Sequence, residues 1–226
     1  GIPMFARDRT DEHPIVVVGG HAAFNPEPIA DFIDAAALGD GEEAVLRITD
    51  IVAEWKGEGR PGGREELLLR LARTGHIYVP SFYNVTYLPD GRIQRVAPNR
   101  PDVPWRVRKH TLMDLDQWQY PKAPLVPMAE TVHERMSVEI FRGCTRGCRF
   151  CQAGMITRPV RERSKETVEA MVANGLERTG FEEVGLLSLS SADHTQIAGL
   201  ARELADEYEE SQVSLSLPST RVDAFN

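Results

Sequence analysis

All three cysteines of the chain fall in one short run, Arg142-Gly143-Cys144-Thr145-Arg146-Gly147-Cys148-Arg149-Phe150-Cys151. The spacing is C-x3-C-x2-C. Thiols this close in sequence can wrap one face of a metal centre, because the intervening loop is too short to do much else. Gly143 and Gly147 let such a loop turn tightly, since glycine tolerates positive φ. Thiolate is the ligand type of iron–sulfur clusters and of zinc. A four-iron cubane held by three cysteines keeps one iron without a protein ligand, where a small molecule can bind. Two other readings stand beside this one. A disulfide plus a free thiol conflicts with the odd count, the tight spacing and the absence of any secretory signal. A structural zinc site needs a fourth ligand, for which His133 and His194 are the candidates.

The chain of 226 residues has room for one large or two small domains. Hydrophobic residues make up 42%, which supports a packed core. The formal net charge of −8 does not favour a general nucleic-acid-binding surface. No apolar run approaches the ~20 residues of a membrane span. The start, Gly1 to Arg7, reads as the middle of a domain, and the end, Arg221 to Asn226, as a stop just after a strand. Both ends read as cut, so a fragment of a longer protein is expected. Reduced cysteines and an oxygen-sensitive cluster fit the cytoplasm.

Pro14 to His21 reads as a buried parallel strand running into the turn Gly19-Gly20-His21. A helix is expected over Glu27 to Phe32, with Pro26 and Pro28 near its start. Asp34 to Gly39 is a second short strand. Beyond Asp40-Gly41-Glu42-Glu43 a helix is expected to bury Val45, Ile48, Val52 and Trp55, spaced three and four apart. Strand, helix, strand, helix makes an open α/β sheet, whose ligands bind at glycine loops after the strands. Glu58 to Gly63 is a flexible break. Glu65 to Arg73 is a short leucine-faced helix. Ile77 to Leu88 and Arg92 to Val96 flank Asp90-Gly91, a hairpin signal. The proline-rich stretch 98–127, with Trp105, Trp118 and Tyr120, reads as an ordered linker.

From Ser137 the pattern becomes βαβ. Strands are expected over Ser137 to Phe141, Val184 to Ser190 and Val213 to Leu217. The helix Ser164 to Thr179 should bury Val168, Met171, Val172 and Leu176. A second helix, opened by an Asp193/Gln196 capping box, should bury Ile197, Leu200, Leu204 and Tyr208. Leu187 and Leu189 alternate with Ser188 and Ser190, and Val213, Leu215 and Leu217 with Ser214 and Ser216. Period-two alternation puts the serines on one face, either lining a polar lumen or meeting water, with the leucines under the helices.

Cys144-x3-Cys148-x-Phe150-Cys151, with an aromatic before the last cysteine, resembles the signature of the radical S-adenosylmethionine (SAM) enzymes. The wider run Glu139 to Gly154 resembles an uncharacterised branch of that superfamily with a cobalamin-binding-like domain upstream. The resemblance implies a 4Fe-4S cluster on Cys144, Cys148 and Cys151, and SAM on the open iron. It implies reductive cleavage to a 5′-deoxyadenosyl radical, with an unknown substrate. Phe150, Ser190, Ser191 and Ser216 are its candidate SAM contacts, although Ser190-Ser191-Ala192 departs from the Gly-Gly-Glu-like stretch of many relatives. Gly19, Gly20, His21, Gly39, Gly41 and Glu42 would be the loops of a cobalamin-type domain, with cobalamin a candidate cofactor; otherwise they are tight turns. The upstream histidine loop of many cobalamin proteins is absent, and His21 does not take its position.

The fold expected is thus α/β. Residues 1–60 are the C-terminal half of a Rossmann-like cobalamin-binding-type domain, and 61–136 a connecting helix, β-hairpin and linker. Residues 137–226 are the first three βα units of a partial TIM-type barrel, too few for the chain alone to couple SAM cleavage to a substrate. Arg142, Arg146, Arg149, Arg158, Arg161 and Arg163 crowd the motif. They either favour the reduced cluster and an acidic flavodoxin- or ferredoxin-type donor, or are solvated loop residues. The runner-up class is a non-catalytic zinc or electron-transfer module.

Overall fold

A computed structural model describes residues 1–222. The fold is α/β with mixed sheets. Residues 223–226, read as part of the tail after the third strand, lie outside the described residues. The chain divides into two compact units, Gly1–Leu112 and Met113–Asn226.

The first unit carries a three-stranded sheet of β1 (Val17–Val18), β2 (Ala35–Ala37) and β3 (Ile77–Tyr78). β1 and β2 are parallel, whereas β3 runs antiparallel to β2 with Ala36 opposite Tyr78. The segment between β1 and β2 is a 3-10 helix at Glu27–Phe32 rather than an α-helix. Helices α1 (Glu42–Gly57) and α2 (Gly63–Ala72) follow β2. In α1 the buried stripe runs through Ala44, Ile51 and Trp55, with Ile48 and Val52 partly covered. Val45, expected in that stripe, is 57% exposed, because it sits about 100° around the helix from Ala44. Ile77 to Leu88 is not one strand. Pro80, which has no N–H to give a ladder, opens a 3-10 turn at Pro80–Phe82. Beyond it β4 (Tyr83–Tyr87) and β5 (Ile93–Pro98) form the expected antiparallel hairpin around Asp90-Gly91.

A buried ion cluster ties this unit's N-terminal segment to its sheet. The Asp34 carboxylate accepts from Arg9 at 2.8 Å, Arg64 at 2.9 Å and the Val16 N–H at 2.7 Å. Arg9 and Asp34 are both buried. A buried carboxylate persists as an ion only when paired in this way.

The second unit is built on a parallel sheet in the order β10-β9-β6, of β6 (Met136–Glu139), β9 (Glu183–Leu187) and β10 (Ser214–Ser216). Between β6 and β9 come β7 (Phe141–Arg142), α3 (Ala153–Ile156), β8 (Arg161–Glu162) and α4 (Lys165–Thr179). Helix α5 (Ile197–Tyr208) joins β9 to β10. Ser164 caps α4, its hydroxyl accepting the Thr167 N–H at 3.2 Å, and Gly180 ends it in the left-handed conformation. Val168, Met171 and Val172 of α4 and Leu200 and Leu204 of α5 pack with Met136, Val138, Val184 and Leu186.

Two expectations are corrected here. The register pairs Val184 with both Met136 and Leu215, so the even-numbered residues of β9 share the helix-covered face with Val213, Leu215 and Leu217. Leu187 therefore lies on the opposite face with Glu139, and Leu189 is 40% exposed. The alternation had placed both leucines under the helices. Only Ser214 and Ser216 alternate as expected; β9 ends at Leu187, and Ser188 to Ser190 form a turn. Asp193 does not cap α5 either. That helix starts at Ile197 after Gln196, and the Asp193 carboxylate is drawn to arginines.

Candidate metal centre

The cysteine loop begins where β6 ends. β7 and β8 pair antiparallel, Phe141 with Glu162 and Arg142 with Arg161, and so close residues 143–160 at their base. Gly143 has φ +93°, and a Cβ there would meet the Pro159 carbonyl oxygen at 2.5 Å. The tight turn expected of Gly143 is thus also a close approach of two backbones. Arg158 Nε donates to the Cys144 carbonyl at 3.0 Å.

The three thiols are free. Cys144 and Cys151 are half-buried and Cys148 is exposed. Gly154 packs between the first two: a Cβ on it would touch Cys151 Sγ at 3.7 Å and Cys144 Cβ at 3.8 Å. Two sulfurs already receive backbone donors, Arg146 N–H to Cys144 at 3.5 Å and Gly154 N–H to Cys151 at 3.3 Å. Hydrogen bonds to the ligand sulfurs are among the features that tune an iron–sulfur cluster. Among the described residues, no three of His, Cys, Asp and Glu converge as ligands of one metal ion. A cubane takes each thiolate on a different iron, so its three sulfurs converge on one cluster while standing farther apart than the ligands of a single ion. Three thiols on one loop are the donor type of an iron–sulfur cluster.

Of the candidate fourth ligands of a zinc site, His194 is engaged elsewhere. His194 is buried, its Nδ1 accepting the Gln196 N–H at 3.2 Å, which leaves Nε2 to donate to the Arg163 carbonyl at 3.3 Å. Both ring nitrogens are thus taken by backbone. His133 lies in an exposed stretch.

The arginines around the motif mostly hold structure. Arg142 pairs with Glu139 at 2.8 Å. Arg161 is buried and donates to the Pro159 and Thr157 carbonyls. Arg163, also buried, reaches Glu139 and the Leu115 carbonyl. Arg146 is bound to Asp193. Arg149 is exposed. Neither Asp193 nor the β7–β8 ribbon was singled out in the sequence for this site. The ribbon is too short for periodicity to register, and a partner 47 residues away leaves no local signal.

Of the candidate SAM contacts, Phe150 is 92% exposed, and Ser216 is half-buried in β10. Ser190 and Ser191 are buried. The Ser190 hydroxyl accepts from Arg221 at 2.6 Å, and Ser191 donates to the Leu186 carbonyl at 3.0 Å.

In the first unit, Gly19, Gly20 and His21 are exposed and Gly20 has φ +84°. The second loop is taken up by the chain itself. Gly39, at φ +104°, lies so close to His110 that a Cβ would overlap the His110 carbonyl oxygen. The Asp40 carboxylate accepts the Leu112 N–H at 2.7 Å, and His110 Nε2 lies 2.8 Å from Glu43. Gly41 is exposed and Glu42 half-buried at the start of α1. The His76 ring lies 5.3 Å from that of His110, and burial, then His110, holds its pKa below the usual imidazole value.

Residues 1–80 match the family model of radical SAM proteins' N-terminal region, and residues 138–225 that of the radical SAM superfamily. An uncharacterized protein of Methanocaldococcus jannaschii is 25% identical over 221 residues, covering 96% of this chain and 40% of that protein. The chain thus spans about two fifths of the curated relative it matches. Among solved structures, the radical SAM methyltransferase TsrM of Kitasatospora setae, with cobalamin and a [4Fe-4S] cluster bound, is 16% identical with a TM-score of 0.48. That match covers 93% of this chain and 39% of TsrM. The same enzyme with tryptophan and a SAM analogue gives 17% and 0.47, over 93% of this chain and 38% of TsrM.

Proposed function

The chain belongs to the radical SAM superfamily, and from that premise we propose that Cys144, Cys148 and Cys151 hold a 4Fe-4S cluster of a SAM-cleaving enzyme. The observation that carries the reading is three free thiols on one loop, closed at its base by β7 and β8, with backbone N–H groups on two of the sulfurs. Bound there, the cluster would supply the electron that breaks a carbon–sulfur bond of SAM, releasing a 5′-deoxyadenosyl radical that takes a hydrogen from substrate.

The chain's own residues have definable parts. Gly143 and Arg158 fix the backbone at Cys144. Gly154 presents its N–H to Cys151 and packs in ordinary contact with both Cys151 and Cys144. The Ser190 hydroxyl meets Arg221 from beyond β10 and the Ser191 hydroxyl the Leu186 carbonyl, so both are read as shaping the site rather than gripping SAM. Phe150 and Ser216 are the residues proposed to face the cofactor. The two βαβ units are read as the start of a barrel, and the parallel β1–β2 pair as part of a Rossmann-like half-domain. At Gly39–Glu43, Gly39, Asp40 and Glu43 are engaged by His110 and Leu112, while Gly41 is exposed and Glu42 half-buried, so cobalamin is given no residue there. No step is assigned to it. A reduced flavodoxin- or ferredoxin-type protein is the proposed electron source.

The test is electron paramagnetic resonance of the anaerobically reconstituted, reduced chain. Adding SAM should shift the cluster signal, and 5′-deoxyadenosine should form. A fully loaded, reduced protein with an unshifted signal and intact SAM would remove the SAM part of the reading. Alanine at any one of the three cysteines should abolish the signal.

A further inference from the structure

The cysteine loop is anchored at its base and at two of its thiols, but residues 145–150, which include Cys148, are all exposed. One carboxylate reaches into that stretch. Asp193 lies in the 3-10 turn after β9. Arg146 donates to it through Nε at 2.9 Å and again through Nη2, a two-pronged contact that fixes direction as well as distance. Arg221, beyond β10, donates at 2.7 Å to the same Asp193 Oδ2 that Arg146 Nε meets, and at 2.6 Å to Ser190. The carboxylate is therefore oriented by groups from the ends of two strands and in turn holds the loop.

We propose that Asp193 is a positioning residue that, through Arg146, restrains the exposed stretch bearing Cys148 so that its thiol is in place for the cluster. The proposal rests on the assignment of the three cysteines as ligands. Ordering a free loop costs conformational entropy residue by residue, and a tether made before the cluster arrives lowers that cost at the moment of binding. Arg146 lies midway between Cys144 and Cys148, and its own N–H is directed at Cys144 Sγ. A tether at this residue steadies two ligands at once. It also gives Arg146 an anionic partner, in place of its expected part as a bare positive charge beside the cluster.

The experiment uses metal-free, anaerobic protein in which each cysteine's alkylation rate is followed by mass spectrometry. Plateau rates at high pH are compared, so that differences in thiolate fraction do not decide the result. Asp193→Asn should speed labelling of Cys148 about fivefold, with Cys151 changing less than about twofold. Arg146→Gln, which leaves Asp193 with Arg221, should reproduce the effect, and Asp193→Glu should restore most of the protection. Unchanged Cys148 rates in both Asp193→Asn and Arg146→Gln would overturn the proposal. So would parallel acceleration of all three cysteines, the mark of general loosening. Failure of wild-type protein to take up iron and sulfide would remove the ligand assignment yet leave the labelling result standing.

Discussion

Gly143 carries two demands at once, a positive φ and a backbone approach that leaves no room for a methyl group. Gly143→Ala should therefore fail to assemble the cluster even though all three thiols remain; iron retention equal to wild type would contradict this. Gly39 is bound by the same physics in the first unit, against His110. Strain and overlap together make Gly39→Ala cost roughly 3 kcal/mol in denaturant unfolding. Asp34 is the other costly position, because its loss leaves buried Arg9 and half-buried Arg64 without their shared counter-charge. Asp34→Ala should destabilise by about 3–5 kcal/mol, and a loss under about 1 kcal/mol would show that water enters freely. For Asp193, Arg146 first, then Ser190 and Arg221, hold the carboxyl well below the usual carboxylate range. A depressed folded pKa means stability that is present above the unfolded value and lost as pH falls through the folded one. The melting difference between wild type and Asp193→Asn should hold from pH 7 to about pH 4 and shrink below it.

At the level of elements, α4 shows what was legible and why. Its apolar spacing, its Ser164 cap and its Gly180 stop are all local, and the helix read over Ser164 to Thr179 forms from Lys165 to Thr179 with Ser164 as its cap. Ser164→Ala should cost about 1 kcal/mol in chemical denaturation, with Ser164→Asp largely neutral. The misreadings share one cause. Alternation in Leu187-Ser188-Leu189-Ser190 looks like a strand, but the face is set by pairing with β6 and β10, which puts Val184 and Leu186 under the helices instead. Asp193 followed by Gln196 looks like a capping box until two arginines from distant segments take the carboxylate. Local pattern names an element; long-range partners decide its face and its end.

For the whole molecule, the parallel βαβ order of the second unit and the single thiol-bearing loop could be read from the residues, since both are written in short periodic or clustered signals. The antiparallel β3, the two-residue ribbon under the loop and the self-docking of Gly39 on His110 could not, because each depends on contacts between separate segments. The same contacts close the three cysteines onto one loop and dock Gly39 against His110. Among the described residues no helix is long and apolar enough to cross a membrane. The most direct measurement is metal and sulfide content after anaerobic reconstitution with iron and sulfide in the presence of competing zinc. About four irons and four sulfides per chain, lost in the Cys148→Ala variant, are expected. One zinc per chain, with no acid-labile sulfide, would contradict the account.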